Sequence, residues 1–407
     1  MSKTSQSKCI RLFLCSWNVG SSKPVSSFVD ALNLDSNDLP ELYALGLQEV
    51  DAYDLRVDEH AWSKALLKDL GAKGYVRIKV RRLQGLMTFV FVKRSILPFV
   101  SSIESEATRT GFGGLWGNKG GVSIRLDVFD VNLIIVNSHL AAHQNNVAER
   151  MTDFDSILDD QRFRDEDVEN ILDHDYVFWM GDLNFRLDDL SRDEILKHVS
   201  EKQFDKLLEN DQLIKCCKQK LMFEDFHEGE ITFPPTYKFD VGTDDYDTSP
   251  KQRLPAWCDR ILWHVYDSSY DTVHLAVKPL GYTSHSAYQI SDHKPVTATF
   301  EINVFSTPVE SHIVFHSPSK ISAGVDMVVK YSVNHYSKAS TSDWIGLYKS
   351  DFSSFRDYIT YVWAVDDAEK KVTIKGSYLR VKPGEYYLCY LTRKYSLLGM
   401  SEPFRID

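Results

Sequence analysis

The apolar run Tyr-Val-Phe-Trp-Met at residues 176–180 ends abruptly in Gly181, Asp182, Leu183 and Asn184. A short apolar run rich in aromatic and β-branched residues is typical of a buried strand. Side chains two positions apart on an extended chain point the same way, so Asp182 and Asn184 would leave the strand end together. The pattern predicts a proton acceptor and an amide at a sheet edge. The alternative is a polar loop in which both side chains only cap turn amides.

Four other strand-like segments within residues 1–305 end in the same way. The polar residues at these ends are Asn18, Gln48 with Glu49, Asn137 with His139, and Asp292 with His293. Any one of them has a structural explanation, such as a hydrogen-bonded histidine at a strand end. Strands that share a sheet edge would bring all five ends together, and this set of side chains favours a site for a metal ion and a phosphate.

Three of these side chains offer oxygen ligands of the kind that Mg²⁺ prefers, since this ion takes a few protein oxygens and keeps several waters. The expected ligands are Glu49, Asn18 and Asp292. One ion or two would fit this set.

Hydrolysis of a phosphate ester also needs an oriented water, a proton acceptor and positive charge on the phosphoryl oxygens. We expect Asp182 to accept the proton and Asn184 to orient the water. We expect the imidazoles of His139 and His293 to donate to the phosphate. Such an imidazole needs a carboxylate on its other nitrogen, and Asp259 is the candidate partner of His293. No cysteine has an arginine six residues later, so a cysteine-phosphatase loop is excluded.

Periodicity divides the chain in two near residue 305. Residues 1–305 alternate apolar strands with amphipathic helices, which indicates a mixed sheet or a pair of sheets covered by helices. Residues 306–407 show only short alternating strands, as in a β-sandwich. The helix candidates are Trp62–Leu70, Asn146–Asp160 and Arg192–Asn210. The strand candidates of the first part are Ile10–Val19, Leu42–Leu47, Val76–Val80, Leu86–Val92, Val122–Val128, Val131–Asn137, Tyr176–Met180, Ile261–His264 and Val296–Ile302.

Charge and cysteine usage narrow the class of protein. Residues 1–304 hold 34 Lys and Arg against 47 Asp and Glu, a net charge of −13. A chain this acidic is a poor general binder of nucleic acid, which requires many basic contacts to phosphates. Six scattered cysteines, no signal-like N-terminus and no long apolar segment predict a reduced, soluble protein of the cytosolic side.

Taken in chain order, the segments WN, QE, a strand-end His, GDLN and SDH resemble the endonuclease/exonuclease/phosphatase superfamily. The resemblance implies a DNase I-like α+β sandwich of two mixed sheets flanked by helices. It also implies metal-dependent hydrolysis by direct attack of water. The superfamily includes abasic-site nucleases, sphingomyelinases and inositol polyphosphate 5-phosphatases, so the substrate stays open at this point.

Three runs are similar to the 5-phosphatase signature: GNKGGV at 117–122, FPPTYKFD at 233–240 and KQRLPAWCDRIL at 251–262. The resemblance implies that four residues bind the 4-phosphate of an inositol ring: Tyr237, Lys238, Lys251 and Arg253. It implies that Asn118 and Lys119 approach the 1-phosphate. Without the resemblance, Lys251 and Arg253 would be interpreted as solvated surface charges.

The glycine-rich segment before GNKGGV carries Phe112, Leu115 and Trp116. These side chains could pack inside the domain, but aromatics beside a headgroup pocket also suit insertion into a membrane interface. With the resemblance, contact with the membrane is the expected role.

The C-terminal part resembles a SKICH domain in DWIGLY at 343–348, YVW at 361–363 and YLCY at 387–390. The resemblance implies an immunoglobulin-like sandwich that recruits the protein to membranes and binds protein partners.

The expected function is a Mg²⁺-dependent phosphatase that removes the 5-phosphate of phosphatidylinositol 4,5-bisphosphate and phosphatidylinositol 3,4,5-trisphosphate, with soluble inositol polyphosphates left open. The expected location is the cytoplasm, with peripheral recruitment to the plasma membrane or the endoplasmic reticulum. The alternatives are another phosphodiesterase of the superfamily, namely a nuclease or sphingomyelinase, and an inactive phosphoinositide-binding scaffold.

Overall fold

The computed structural model describes residues 6–51, 53–54, 56–111, 116–165, 168–266, 274–306, 313–316, 320–334, 340, 342–364 and 370–407. Its first sheet contains β1 (Gln6–Asn18), β2 (Leu42–Gln48), β3 (Tyr75–Leu83), β4 (Leu86–Lys93), β11 (Val277–Ser284) and β12 (Val296–Ser306). The strand order is β11-β12-β1-β2-β4-β3, and β1 runs parallel to β2.

The second sheet contains β5 (Val100–Thr110), β6 (Trp116–Val128), β7 (Val131–His139), β8 (Tyr176–Asp182), β9 (His227–Glu228) and β10 (Asp259–Val265). The strand order is β5-β6-β7-β8-β10-β9, and β7 runs parallel to β8. Both sheets are mixed, because their other strand pairs are antiparallel.

Helices cover the outer face of each sheet, and the largest apolar core lies between the sheets. The helices are α1 (Ala61–Ala72), α2 (Val147–Asp160), α3 (Arg192–Ser200), α4 (Phe204–Leu208) and α5 (Gln212–Lys218). Leu14, Phe178 and Phe300 belong to the central core, Leu66 of α1 packs on the first sheet, and Ile157 of α2 packs on the second. This arrangement confirms the predicted sandwich of two mixed sheets flanked by helices.

The C-terminal part is all-β, as predicted. It contains β13 (Ile313–Phe315), β14 (Lys320–Ile321), β15 (Met327–Val333), β16 (Trp344–Lys349), β17 (Thr360–Trp363), β18 (Lys371–Ile374), β19 (Gly384–Leu391), β20 (Leu397–Met400) and β21 (Phe404–Ile406). One sheet has the order β13-β15-β18 and the other β14-β21-β19-β16-β17, with β20 beside β19. Ile345, Leu347 and Leu388 lie in the core of this part.

The two parts pack against each other at the end of the sandwich opposite to the strand ends that carry the polar residues. The backbone N–H of Arg77 donates to the carbonyl of Ser353 at 2.8 Å, and Arg94 donates to the carbonyl of Phe352 at 2.7 Å. Asp58 forms ion pairs with both Arg77 and Arg356. The domain boundary expected at 305/306 stays a prediction.

Two details differ from the expectations. The helix expected over Arg192–Asn210 is two helices, because the chain turns at Lys202, whose φ of 55° is left-handed. In the first part, the helix α5 and the strands β5, β9 and β11 are not among the predicted elements. Among the described residues, no helix is both long and apolar enough to cross a bilayer, and all six cysteines are free.

Candidate active site

Strand pairing brings four polar strand ends to one edge of the sandwich. Asn18 lies opposite Gln48 in the register of β1 and β2, and His139 lies opposite Asp182 in that of β7 and β8. Asp259 starts β10 and faces Asp182 from the other side. The carboxyl ends of β1, β2, β7 and β8 therefore meet the start of β10. The prediction that Asp292 and His293 also end a strand was wrong: they lie in the loop before β12, which brings His293 beside Asp182 and Asp259.

Two of these polar residues tie the sheets together. The amide of Gln48 donates to Oδ1 of Asn137 at 2.7 Å, which joins β2 of one sheet to β7 of the other. Both side chains are fully buried. Their hydrogen bond satisfies polar groups that would otherwise be costly in the core, so these residues serve the packing of the sheets.

Asp182 lies at the centre of the remaining groups and is buried. Its Oδ2 accepts a hydrogen bond from Nδ2 of Asn18 at 2.9 Å and lies 3.2 Å from Nε2 of His139. Burial alone would raise the pKa of Asp182, but the imidazoles of His139 and His293 outweigh it and hold the pKa well below its usual range. The carboxyl group is therefore ionised and able to accept a proton.

Glycine is required at position 181 for Asp182 to reach this place. A Cβ on Gly181 would lie 1.9 Å from the carbonyl oxygen of Ser138, and the φ of Gly181 is 152°. The close approach that glycine permits here is to the backbone of the neighbouring strand β7.

His293 is buried between two carboxylates. Its Nδ1 lies 2.9 Å from Oδ2 of Asp259, and its Nε2 lies 3.8 Å from Oδ2 of Asp182. Burial by itself lowers the pKa of His293, but the negative charges of Asp259 and Asp182 raise it to about 9. Thr236 also donates to Asp259 at 2.8 Å. His293 therefore carries a proton at neutral pH.

His139 is in the opposite protonation state. Burial and the ammonium of Lys119, which hydrogen-bonds Nε2 of His139, lower the pKa of this imidazole. Burial also lowers the pKa of Lys119. The sequence pattern does not distinguish the two histidines, yet His139 is neutral and His293 is cationic.

The expected metal ligands differ in the hydrogen bonds and ion pairs that their oxygen atoms already make within the protein. The Glu49 carboxylate is half exposed, and within the described part of the chain it accepts no hydrogen bond; its nearest polar contact is Nε2 of His139 at 3.9 Å. Oδ1 of Asn18 accepts from Gly20, and Asp292 pairs with Lys238 at 2.7 Å. Glu49 and Asp292 line a polar cleft, as oxygen ligands of a hard divalent cation should, whereas Asn18 is buried and lines no part of the cleft among the described residues. Glu49 is the ligand most available to a cation.

A second group of possible ligands consists of Asp182, Asp259 and His293, whose ligand atoms lie within 4.8 Å of one another. A metal would have to displace the proton that the two carboxylates hold on His293, because ligating histidines are neutral. The geometry therefore suits this trio for holding a proton better than for holding an ion.

The strand ends open into a cleft in two sections. The inner section, about 250 Å³, is lined by Asp182, Asn184, Lys119 and other polar residues. The outer section, about 800 Å³, adjoins it at Tyr237, Lys238 and Arg253 and also contains Lys251. The four residues expected around a 4-phosphate therefore lie together.

A buried aspartate shapes the loop that carries these basic residues. Oδ2 of Asp247 accepts from the backbone N–H of Arg253 at 2.8 Å, and Oδ1 accepts from that of Ser249. Lys251 and Arg253 are thus presented by a loop with internal hydrogen bonds.

The structure separates Asn118 from Lys119. Lys119 lies in the inner section beside His139, whereas Asn118 is exposed and lines neither section of the cleft among the described residues. Phe112 and Leu115 lie outside the described residues, and for Trp116 the description is limited to the backbone at the start of β6.

Sequence reasoning missed Arg186, which is buried and lines the inner section. The sequence held only a weak signal for it, the two-residue spacing of positions 182, 184 and 186. That spacing is no guide to direction here, because β8 ends at Asp182 and Asn184 has a left-handed φ of 58°. His143 and Gln144, which also line this section, follow His139 in a loop and carry no comparable signal.

Both parts of the chain are similar to known proteins. Residues 15–299 match the model of "Endonuclease/Exonuclease/phosphatase family 2", and residues 313–406 match the SKICH domain. Inositol polyphosphate 5-phosphatase K of Mus musculus, the skeletal-muscle-and-kidney-enriched enzyme, is 36% identical over 98% of this chain and 90% of its own length. Phosphatidylinositol 4,5-bisphosphate 5-phosphatase A of Mus musculus is 37% identical over 98% of this chain, which spans 42% of that longer protein.

A solved structure is similar as well. It is the inositol polyphosphate 5-phosphatase domain of SPsynaptojanin in complex with inositol (1,4)-bisphosphate and calcium ion. The domain is 36% identical, with a TM-score of 0.66 over 74% of this chain and 87% of that one.

Proposed function

Because this chain belongs to the endonuclease/exonuclease/phosphatase family and ends in a SKICH domain, we propose that it is a Mg²⁺-dependent inositol phosphate 5-phosphatase. Its substrates would be phosphatidylinositol 4,5-bisphosphate and phosphatidylinositol 3,4,5-trisphosphate. The observation that carries the proposal is one cleft with a buried, ionised Asp182 at its inner end and the basic cluster of Tyr237, Lys238, Lys251 and Arg253 in its outer section.

The residues of the inner section suit direct attack by water. Asp182 would accept the proton of the attacking water, with its carboxylate held by Asn18. Protonated His293 would donate to a phosphoryl oxygen and stabilise the charge that develops there. A divalent cation, when bound at Glu49 with Asn18 and Asp292, would neutralise phosphoryl charge and lower the pKa of a bound water. Mg²⁺ is the ion we propose, since all three donors are oxygens.

The outer section of the cleft would determine which phosphate ester is hydrolysed. A phosphate next to the one being removed would contact Lys251 and Arg253, because charge-assisted hydrogen bonds from basic side chains hold phosphate oxygens strongly. Lys119 would face the scissile phosphate, given its place beside His139. Asn118, on the exposed side, would face the 1-phosphate of the ring.

Access to lipid is proposed for Phe112, Leu115 and Trp116. The segment that carries them joins Thr110 of β5 to Trp116 of β6, and its flanking pair Arg109 and Gly120 lies beside His139 in the sheet register. Serine at positions 112 and 116 should therefore impair hydrolysis of lipid in vesicles while sparing soluble inositol phosphates. Equal losses on both substrates would contradict a membrane role.

The SKICH domain would add recruitment to membranes and protein partners. We propose a cytoplasmic protein that acts peripherally on the plasma membrane or the endoplasmic reticulum. Its partners would include the phosphoinositides of the cytosolic leaflet.

Release of inorganic phosphate from a panel of phosphoinositides and soluble inositol phosphates, with and without Mg²⁺, tests the proposal. We expect release only from substrates with a 5-phosphate, and its loss in EDTA and in the Asp182→Ala variant. Cleavage of abasic DNA or of sphingomyelin instead would identify another hydrolase of the family. Binding without any phosphate release would identify an inactive scaffold.

A further inference from the structure

Arg186 contacts one residue of the hydrolytic centre and one of the substrate cluster. Its Nη2 donates to Oδ1 of Asn184 at 2.6 Å, and its Nε donates to the backbone carbonyl of Asn184 at 3.1 Å. The centre of the guanidinium lies 4.2 Å from the centre of the Tyr237 ring, within the range of a cation–π contact. One planar group therefore connects the inner and outer sections of the cleft.

The contact with Arg186 decides which end of the Asn184 amide faces which neighbour. A guanidinium has only donors, so the amide atom next to it must be the oxygen. Nδ2 of Asn184 donates one hydrogen to the carbonyl of Leu140 at 3.0 Å. The second hydrogen on Nδ2 is left for a group in the cleft, which Asn184 lines.

The backbone of the same segment is also held. Asn184 has a left-handed φ of 58°, and its N–H donates to Oδ1 of Asp182 at 3.1 Å. The N–H of Arg186 donates to the side chain of Gln212 at 3.0 Å. The backbone on both sides of Asn184 is therefore held, and exchange of O and N in its side-chain amide is opposed by both the guanidinium of Arg186 and the carbonyl of Leu140.

We propose that Arg186 is a positioning residue for phosphate hydrolysis and for recognition of the neighbouring phosphate. It keeps Asn184 a hydrogen-bond donor toward the scissile phosphate or its attacking water. By stacking on Tyr237 it keeps the phenol at the pocket for the 4-phosphate. The inference rests on the proposed function.

A double-mutant cycle between Arg186→Met and Asn184→Ala tests the link to the hydrolytic centre. The readout is kcat for phosphate release from soluble inositol 1,4,5-trisphosphate by the full chain. Each single change should lower kcat by about 10²-fold, as the loss of an oriented donor does. In the Asn184→Ala background, Arg186→Met should lower kcat by less than about threefold, because the amide that Arg186 positions is already absent. Multiplicative losses would overturn the proposal.

A lysine variant separates position from charge. Arg186→Lys keeps the cation but lacks the planar fork that bonds Asn184 twice and stacks on Tyr237. We expect its kcat to remain at least about tenfold below wild type, with an unchanged urea midpoint that shows an intact fold. Wild-type kcat in this variant would show that charge alone matters and would overturn the proposal.

Measurements of KM test the contact between Arg186 and Tyr237 separately. Arg186→Met should raise KM for substrates that carry a 4-phosphate by about tenfold and leave KM for inositol 1,5-bisphosphate unchanged, whereas Asn184→Ala should affect the two equally. Equal KM changes in both variants would overturn this half of the inference. If the wild-type protein released no phosphate, the proposed function itself would be refuted. The double-mutant cycles are measured on an active enzyme, so their failure would refute only the role given to Arg186.

Discussion

Oδ2 of Asp259 lies 2.9 Å from Nδ1 of His293, and both groups are buried. Asp259 is the first residue of β10 and pairs in register with Asp182, the last residue of β8. His293 comes from the loop before β12, and Trp17 fixes that loop by donating to the carbonyl of His293 at 3.0 Å. Strand register therefore places one imidazole between two carboxylates from neighbouring strands.

Asp259→Asn should lower kcat for phosphate release by about 10²–10⁴-fold, because a neutral amide no longer keeps His293 protonated and in one orientation. KM should change little, since Asp259 does not line the cleft. The matched control is Thr236→Val, which removes a donor to the same carboxylate and should cost less than about tenfold. Wild-type kcat in Asp259→Asn would contradict the role given to this pair.

Gly181→Ala should destabilise the fold by about 3 kcal/mol or more, because the new Cβ would meet the carbonyl oxygen of Ser138 and the φ of 152° disfavours alanine. The free energy of unfolding in urea measures the loss. Gly281→Ala on the edge strand β11 is the control, since no atom of the described residues lies within 4 Å of its added Cβ. A change within about 0.5 kcal/mol is expected there. Equal effects at both positions would exclude the clash as the cause.

The convergence of four strand ends could be predicted because each strand is an apolar run followed by polar residues. The segment with Asp292 and His293 was wrongly predicted to end a strand, since it precedes β12. Tyr176–Asp182 is fully buried, so its composition alone marks it as a strand. The edge strands β5 and β11 were missed because their sequences, VSSIESEATRT and VKPLGYTS, bury few side chains. An edge strand has only one paired neighbour, and its composition is correspondingly less constrained.

The different roles of the polar residues could not be predicted from the sequence. Asn137 and Asn18 both end strands, yet Asn137 binds Gln48 across the two sheets and Asn18 binds Asp182. The difference depends on which face of the sheet each side chain meets and how the two sheets are offset. Likewise, the opposite charges of His139 and His293 arise from neighbours that are distant in sequence, Lys119 for one and Asp259 for the other.

Asp58→Asn should destabilise the full chain by about 1–3 kcal/mol, because it removes the carboxylate that neutralises Arg77, whose side chain is 5% exposed. Because Asp58 itself is partly exposed, the expected loss in free energy of unfolding is smaller than for a fully buried ion pair. Unfolding in urea gives the measurement. The control is Asp54→Asn, whose partner Arg56 is 75% exposed and whose loss should cost less than about 0.5 kcal/mol. Similar losses in the two variants would argue against a stabilising contact between the domains at Asp58.

His174 should make the fold sensitive to acid, because burial and the charge of Arg125 lower the pKa of its imidazole to about 4. Nδ1 faces the carbonyls of Asn170 and Ile171, and Nε2 has no hydrogen-bond partner among the described residues, so a second proton there would be buried without an acceptor. The unfolded chain takes up this proton near pH 6.5 and the folded chain only near pH 4. Stability that is complete above pH 6.5 is therefore lost as the pH falls from 6.5 toward 4, by about 2 kcal/mol at pH 5. Between pH 7 and pH 5, urea unfolding should show a loss of stability that is about 2 kcal/mol smaller in His174→Gln than in the wild type and in the exposed control His316→Gln. An equal loss in all three would assign the acid sensitivity to other groups.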